Sequence, residues 1–200
     1  MRFERVRERL VYETSWVQVF DDDILHPDGR PGTYTRIVPN GVPGGAHVIP
    51  RLPDGRVLLI KANRYPVGAD VWEFPRGSPG KGESPESAAR RELFEEAGLE
   101  AERLIFVGHC YPDTGILATK QSIFLAELAA DQEGRVVLDA GEAVLDHRWL
   151  LPEQIGDIIR AGDIVDGTVL ADLMLLKLMT TEGSRARRSP LPPGEGEGFH

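Results

Sequence analysis

The alternation of hydrophobic and polar positions predicts a chain built mainly from strands. Residues 11–20 and 33–39 alternate in this way and flank a turn signal at residues 26–29. Two more continuously apolar segments are joined by a Pro-Asp-Gly sequence that is typical of a tight hairpin. These buried strands are predicted at residues 45–52 and 56–64. Further strands are predicted at residues 72–74, 104–111, 119–128 and 143–150.

Three other segments have the features of helices. One helix is predicted to begin at Pro85, because Ser84 suits the N-cap, and to end at Gly98. Two more are predicted near the C-terminus, at residues 152–162 and 168–180. The helices are inserted among strands and appended to them, and they do not alternate regularly with them. This order favours an α+β fold over a doubly wound parallel sheet.

Composition and charge narrow the class of protein. With 200 residues, 41% hydrophobic and 28% charged, the chain suits one globular domain with appendages. The net charge of -9 argues against nucleic-acid binding, and it disfavours a polyphosphate substrate unless metals and local arginines reverse the field. A single cysteine, Cys110, excludes an intrachain disulfide and gives no zinc site. We find no signal peptide and no apolar run of membrane-spanning length, so we expect a cytoplasmic protein with no membrane partner.

The C-terminal segment has a different composition. Residues 183–200 are rich in Pro and Gly and contain almost no apolar side chains. Such a segment cannot bury enough surface to offset the entropy of ordering, so we predict a disordered tail. Its arginine cluster could bind an acidic partner, but a solvated tail is the simpler interpretation.

The predicted helix that begins at Pro85 carries an unusual group of carboxylates. On a helical wheel Glu92, Glu95 and Glu96 share one arc beside an apolar stripe. Like charges three or four residues apart destabilise an exposed helix, and Arg91 can offset part of this repulsion through Glu95. Mg²⁺ takes oxygen ligands and is commonly completed by substrate phosphates, so it is a natural counter-ion for this arc. The alternative is an ordinary solvated acidic face.

The spacing around these carboxylates resembles the Nudix box. Gly77 is followed after five residues by Glu83, and after seven more by the run at residues 91–99, Arg-Glu-Leu-Phe-Glu-Glu-Ala-Gly-Leu. Nine positions agree in type and spacing, so a chance match is very improbable. The resemblance implies a Nudix fold, with mixed β-sheets sandwiched between helices, and a hydrolase of nucleoside diphosphates linked to another group.

The resemblance also implies roles for the box residues. Such enzymes use Mg²⁺ or Mn²⁺, held by the strand-loop-helix of the box. The implied metal ligands are Gly77, through its carbonyl, and Glu92, Glu95 and Glu96. Glu95 and Glu96 are also implied in catalysis, whereas Glu83 and Arg91 more often support the loop and helix.

A second resemblance covers roughly residues 8–181 and narrows the family to its ADP-ribose pyrophosphatase branch. It is carried by the segments around Trp16, Tyr34 and Arg64, and by the segment that begins at Gly141. It implies hydrolysis of ADP-ribose to AMP and ribose 5-phosphate. It also implies a homodimer, in which the N-terminal strands cross to the other subunit and help to form its active site.

The implied domain organisation has three parts. They are an N-terminal β extension at residues 1–43 that forms the dimer, a hydrolase domain at residues 44–182, and the tail at residues 183–200.

Four residues outside the carboxylate arc are candidates for substrate binding. Trp16 and Tyr34 could stack on the base, and by the resemblance one of each comes from each subunit. The alternative for either aromatic residue is packing within a strand core. Arg64 and Arg76 could contact phosphate oxygens through their guanidinium groups, and the alternative is an ordinary surface arginine.

Glu142 is the candidate general base. It lies in a loop before the last predicted strand, where a glutamate in this branch activates or positions the attacking water. Asp139 or a box glutamate could do this work instead, and a loop acid without function is the remaining alternative.

The chain departs from the branch in one loop. Thr114 stands where a proline is usual before Gly115, the nearest proline is Pro112, and Thr119 stands where an acidic residue is common. The substrate could therefore be another nucleotide sugar, such as GDP-mannose, or a dinucleoside polyphosphate. A non-catalytic nucleotide sensor is a further alternative, but sensors tend to lose box glutamates or gain a DNA-binding module, and neither feature is found.

Overall fold

The N-terminal quarter of the chain forms its own antiparallel sheet around one long central strand. The computed structural model of the protein describes residues 1–39, 44–138, 141, 143–163 and 165–182. The strands of this sheet are β1 (Glu4–Arg7), β2 (Leu10–Glu13), β3 (Val17–Leu25) and β4 (Pro31–Pro39). β4 pairs with β3 along its whole length, while β1 and β2 pair with opposite ends of β3.

The prediction of a single strand at residues 11–20 was wrong. The chain turns between β2 and β3, and the Thr14 hydroxyl accepts hydrogen bonds from the backbone N–H groups of Trp16 (3.1 Å) and Val17 (3.0 Å). A threonine hydroxyl offers the backbone a local alternative to a strand ladder, which is why alternation alone missed this turn.

The second sheet has seven strands and is mixed. Its members are β5 (Gly45–Arg51), β6 (Val57–Arg64), β7 (Ala69–Glu73), β8 (Arg76–Gly77), β9 (Arg103–Cys110), β10 (Gln121–Glu127) and β11 (Val144–Leu150). The main order is β11-β6-β5-β10-β9, with β7 on β6 and β8 on β5. Only β5 and β10 run parallel among these pairs. The strands predicted between residues 45 and 150 are each found, although β7 begins at Ala69, three residues before the predicted start, and β8 was not predicted.

Helices cover both faces of the second sheet. They are α1 (Pro85–Ala97), α2 (Pro152–Arg160) and α3 (Gly167–Glu182). Along β5, Ala46 and Val48 face a core shared with α1, and Ile49 faces a core shared with α2 and α3. This alternation follows from the two-residue period of a strand, and it confirms the predicted α+β fold with sheets between helices.

The two sheets are connected through the loop that follows β9. Ile37 of β4 exchanges backbone hydrogen bonds with this loop, donating to Ile116 O (2.8 Å) and accepting from Ala118 N (2.9 Å). The Tyr34 hydroxyl donates to Gly115 O (3.1 Å) in the same loop. The N-terminal sheet is therefore hydrogen-bonded to the loop after β9, whose sequence departs from the ADP-ribose pyrophosphatase branch.

Several predictions fall outside the described residues. These are the general-base candidates Glu142 and Asp139, and the tail at residues 183–200. Among the described residues, no helix is long and apolar enough to cross a membrane.

Candidate active site

Helix α1 positions the carboxylate arc, and its ends follow from local sequence. The Ser84 hydroxyl accepts a hydrogen bond from Ser87 N (3.1 Å), and Pro85 occupies the first turn. Gly98 ends the helix with a φ of 67°, a left-handed conformation that glycine adopts without steric cost. The predicted caps of this helix are confirmed.

The three carboxylates of the arc differ in burial. Glu95 is exposed, the Glu92 side chain is 12% exposed, and Glu96 is almost fully buried at 4% exposure. One edge of α1 thus presents a carboxylate in solvent, a second at the boundary and a third inside the protein.

Gly77 is in close contact with this arc because it lacks a side chain. A Cβ at Gly77 would lie 2.0 Å from Oε1 of Glu92, so any larger residue would displace that carboxylate. The neighbouring backbone N–H of Arg76 donates to Oε2 of Glu96 (2.9 Å). The strand β8 and the helix α1 are therefore in contact through two of the predicted metal ligands, Glu92 and Glu96.

The pKa of Glu96 is raised to about 8, and burial is the largest cause. The negative charges of Glu92 and Glu73 also raise this pKa, while the Arg76 N–H and the charge of Arg64 partly lower it. A buried carboxylate with two acidic neighbours lacks counter-charge, and its remaining oxygens suit a hard divalent cation. The donor set at this edge of α1 therefore fits Mg²⁺ or Mn²⁺.

The carboxylates of α1 do not form a complete metal-binding site by themselves. Within the described residues, no three His, Cys, Asp or Glu side chains converge closely enough to hold a metal by themselves. Mg²⁺ usually keeps several waters and binds through one or two carboxylates plus substrate phosphates, so it does not require such a site.

Arg91 ties the arc to the loop that precedes α1. Its guanidinium donates to Glu83 (3.0 Å), to Glu92 (2.7 Å) and to Glu95 (2.7 Å), and also to the Ser78 carbonyl (3.0 Å). The pKa of Glu83 is lowered, mainly by its hydrogen bond from Arg91. Arg91 thus offsets the repulsion through Glu92 as well as through Glu95, which is more than the helical spacing indicated.

Arg64 and Arg76 share a buried carboxylate that the sequence analysis did not identify. Both oxygens of Glu73, which is 0% exposed, accept from Arg64, and Oε2 also accepts from Arg76 (3.0 Å). Arg76 also pairs with Asp166 at the start of α3 (3.0 Å). The available signal for Glu73 was an acidic residue inside an apolar strand, since a buried acid requires a partner.

Asp166 keeps its charge despite partial burial. Burial alone would raise the pKa of Asp166, but the Thr168 hydroxyl and the Arg76 guanidinium outweigh it and hold this pKa below its usual value. Arg76 is thus held between two carboxylates, Glu73 and Asp166, and Arg64 is oriented by Glu73.

The two arginines and Gly77 line one polar cavity of about 250 Å³. This is the volume expected to admit a small anionic group. The lining residues are Gly45, His47, Arg64, Arg76, Gly77, Ser78 and Gln121. Three predicted site residues, Arg64, Arg76 and Gly77, are therefore brought together here. The sequence analysis did not predict the lining residues from β5 and β10.

Neither of the two predicted aromatic residues, Trp16 and Tyr34, lines this cavity. Trp16, in the turn between β2 and β3, is 80% exposed, and this excludes the alternative of a core position for it. Tyr34 is 40% exposed, and its ring packs edge-on against Phe3 with centroids 5.7 Å apart.

Comparisons with known proteins agree with this geometry. The sequence profile of the NUDIX domain matches residues 42–173. The chain is 29% identical to the ADP-ribose pyrophosphatase of Bacillus subtilis (strain 168), over 86% of this chain and 91% of the relative. It is 32% identical to the ADP-sugar pyrophosphatase of Mus musculus, over 64% of this chain and 63% of the relative. A crystal structure of an ADP compounds hydrolase superposes with a TM-score of 0.75 at 18% identity, covering 92% of this chain and 97% of that chain, which indicates a shared fold.

Proposed function

This chain belongs to the Nudix family, and on that premise we propose that it hydrolyses the diphosphate bond of a nucleoside diphosphate sugar. ADP-ribose is the first candidate, with AMP and ribose 5-phosphate as products, since two similar relatives are named for ADP-ribose and ADP-sugars. The observation that carries the proposal is the position of the carboxylate arc. Glu92 and Glu96 contact the strand that contributes Arg76 and Gly77 to the polar cavity.

The ligands of a divalent cation would come from one edge of α1 and from the strand beside it. We assign this role to Glu92, Glu95 and Glu96, with the Gly77 carbonyl assisting. A bound Mg²⁺ or Mn²⁺ would supply charge neutralisation at the diphosphate and a lowered pKa for water. Arg91 contacts Glu92 and Glu95, so part of its role is to hold these two carboxylates near each other.

The two cavity arginines would bind the phosphates. A guanidinium has five N–H donors, and Arg64 uses two of its nitrogens on Glu73, so donors remain for a ligand. Since both guanidinium groups are already oriented by carboxylates, little side-chain entropy is lost when phosphate oxygens bind. These remaining donors give phosphate oxygens a contact within a chain whose net charge is -9.

We assign the general base to Glu142, with Asp139 or a box glutamate as the alternatives. The chain around this position offers one supporting feature. Ala143 has a φ of 54°, a left-handed conformation that costs a non-glycine residue about 1–2 kcal/mol. Its carbonyl accepts from Asn63 N (3.1 Å), so the backbone next to Glu142 is held by β6.

A homodimer would complete the site. The N-terminal sheet exposes several large apolar side chains, which favours a second copy of the chain as its partner. These residues are Phe3, Val6, Leu10, Val11, Tyr12 and Trp16. In a dimer, Trp16 of one subunit and Tyr34 of the other could enclose the base, and residues 1–43 would form the dimerising extension of a hydrolase domain at residues 44–182.

Another nucleotide substrate is the second candidate. Thr114 and Thr119 depart from the ADP-ribose branch. Thr119 is buried at 7% exposure in the same loop whose Gly115 carbonyl accepts from the Tyr34 hydroxyl. GDP-mannose and dinucleoside polyphosphates keep the same chemistry, whereas a non-catalytic sensor would not hydrolyse any of them. A cytoplasmic location remains a prediction.

A hydrolysis panel tests the proposal. Purified protein is incubated with Mg²⁺ and ADP-ribose, GDP-mannose or a dinucleoside polyphosphate, and the nucleoside monophosphate is quantified by chromatography. We expect ADP-ribose to give the highest kcat/KM, and Glu96→Gln to abolish turnover. Glu86→Gln is the matched control, since Glu86 is an exposed glutamate in the first turn of α1. Turnover of none of the three substrates, or full activity of Glu96→Gln, would refute the proposal.

A further inference from the structure

A buried histidine–aspartate pair lies next to the cavity and has no role in the function proposed above. Nδ1 of His47, in β5, lies 3.0 Å from Oδ2 of Asp172, in α3. His47 is 2% exposed and Asp172 is 0% exposed. Polar side chains this deeply buried are costly unless their interactions repay the loss of water.

The pair belongs to the same structural unit as the phosphate-binding arginines. His47 lines the cavity together with Arg64 and Arg76, and it is the direct partner of Arg76 in the β5–β8 ladder. Helix α3 and the residue before it contact this unit twice, through Asp172 at His47 and through Asp166 at Arg76. One segment of the chain therefore positions both side chains against the cavity.

Asp172 adds a buried negative charge beside the imidazole of His47. Arg64 and Arg76 pair with Glu73 and Asp166, so these four groups compensate one another. Asp172 then contributes a further negative charge, and its Oδ1 has no hydrogen-bond partner among the described residues. A buried carboxylate is costly to leave without partners, and Nδ1 of His47 gives it one.

We propose that His47, held by Asp172, is a third contact for the diphosphate of the substrate, beside Arg64 and Arg76. Because Nδ1 is engaged by Asp172, the other ring nitrogen, Nε2, is the one left for the ligand. His47 is a substrate-binding residue in this scheme, and Asp172 is a positioning residue that fixes the orientation of the ring. The identity of the ligand rests on the proposed function, but the phosphate contact does not.

Direct binding measurements test this role without turnover. ADP-ribose and inorganic pyrophosphate are titrated calorimetrically into wild-type protein, His47→Gln and Asp172→Asn in EDTA, so that metal-dependent hydrolysis does not interfere. We expect His47→Gln to raise Kd for both ligands by at least about tenfold, or 1.4 kcal/mol. Asp172→Asn keeps an oxygen for Nδ1–H but removes the charge, so we expect a smaller increase in the same direction.

The matched control is His109→Gln. His109 contacts Ser122 (3.3 Å) on the β9–β10 pair and does not line the cavity. We expect this variant to bind both ligands as the wild type does.

In steady-state assays with Mg²⁺, His47→Gln should raise KM while kcat changes by less than about threefold, the pattern of lost ground-state binding.

Each outcome decides between binding and a purely structural role. Thermal melting identifies any variant that fails to fold, and Asp172→Asn carries the test if His47→Gln does so. Lowered melting temperature with unchanged Kd would make the pair a structural link between β5 and α3 and would overturn the inference. If the wild type does not hydrolyse ADP-ribose, the proposed function fails, while the pyrophosphate titration still tests His47. A wild type that binds neither ligand overturns the contact itself.

Discussion

Replacing Glu96 by Gln should stabilise the metal-free protein, and the gain should grow with pH. The raised pKa of Glu96, about 8 against an ordinary 4.5, results first from burial and then from the charges of Glu92 and Glu73. The Arg76 N–H and the charge of Arg64 act in the opposite direction but do not cancel this effect. The folded protein therefore holds a proton that the unfolded chain releases above pH 4.5.

The sign and the magnitude follow from linkage. Where the folded state binds more protons than the unfolded state, stability falls as pH rises. The contribution of Glu96 is thus fully present below pH 4.5 and is lost as pH rises through about 8. Linkage with these two values gives a loss of about 3 kcal/mol at pH 7 and about 5 kcal/mol at pH 9, as upper limits.

Glu96→Gln is free of this loss, since an amide does not ionise and its oxygen can still accept from Arg76 N. For a protein of this size 1 kcal/mol corresponds to about 2–4 °C, so the variant should melt about 6–12 °C higher at pH 7 in EDTA. Little difference is expected at pH 4.5. The control Glu95→Gln removes an exposed carboxylate paired with Arg91, and this should change stability by less than about 1 kcal/mol at any pH.

The assay is thermal melting in EDTA at pH 4.5, 7 and 9, repeated with saturating Mg²⁺. Metal should stabilise the wild type and not the Gln variant, because binding to the folded state alone raises stability. The variant should also lose kcat by orders of magnitude. A difference in melting temperature that does not vary with pH would refute the raised pKa of Glu96. Equal activity of the two proteins would remove Glu96 from the assigned metal ligands.

Three further substitutions test other parts of the site. Gly77→Ala should lower kcat/KM more than tenfold with little change in melting temperature, because the added Cβ would displace the flexible end of the Glu92 side chain and not the backbone. Equal activity would show that the close contact between Gly77 and Glu92 is not needed for the reaction. Trp16→Ala should raise KM for ADP-ribose, with an effect of about 1–3 kcal/mol from lost stacking and a smaller change in kcat. An unchanged KM would show that this exposed ring does not touch the base. Glu142→Gln should reduce kcat strongly and alter the acidic limb of the pH–rate profile, while substrate affinity is retained. A near-normal kcat would show that Asp139 or a box glutamate is the general base instead.

The box helix shows how far local sequence reasoning extends. Its start at Pro85, its end at Gly98 and the arc that contains Glu92 and Glu96 were all predicted. Each of these features depends on residues within one or two helical turns, where the geometry of a helix leaves few choices. The turn at Thr14 was missed because a side-chain hydrogen bond overrode the strand pattern.

The remainder of the site depends on contacts between distant parts of the chain. Spacing identified Arg64 and Arg76 as candidates, but only the packing of β6, β7 and β8 shows that both bind Glu73. His47 and Asp172 are 125 positions apart, and no local pattern connects them.

The sequence by itself determined the family, the carboxylate arc and the α+β class, since these follow from local spacing and periodicity. The tertiary structure decided which carboxylate is buried and which oppositely charged partner each arginine has. The physical reason is that burial and counter-charge are properties of neighbours in space. The pKa of Glu96 differs from that of an ordinary glutamate mainly because the helix buries it against the strands, where Glu73 adds to the effect of its helix neighbour Glu92.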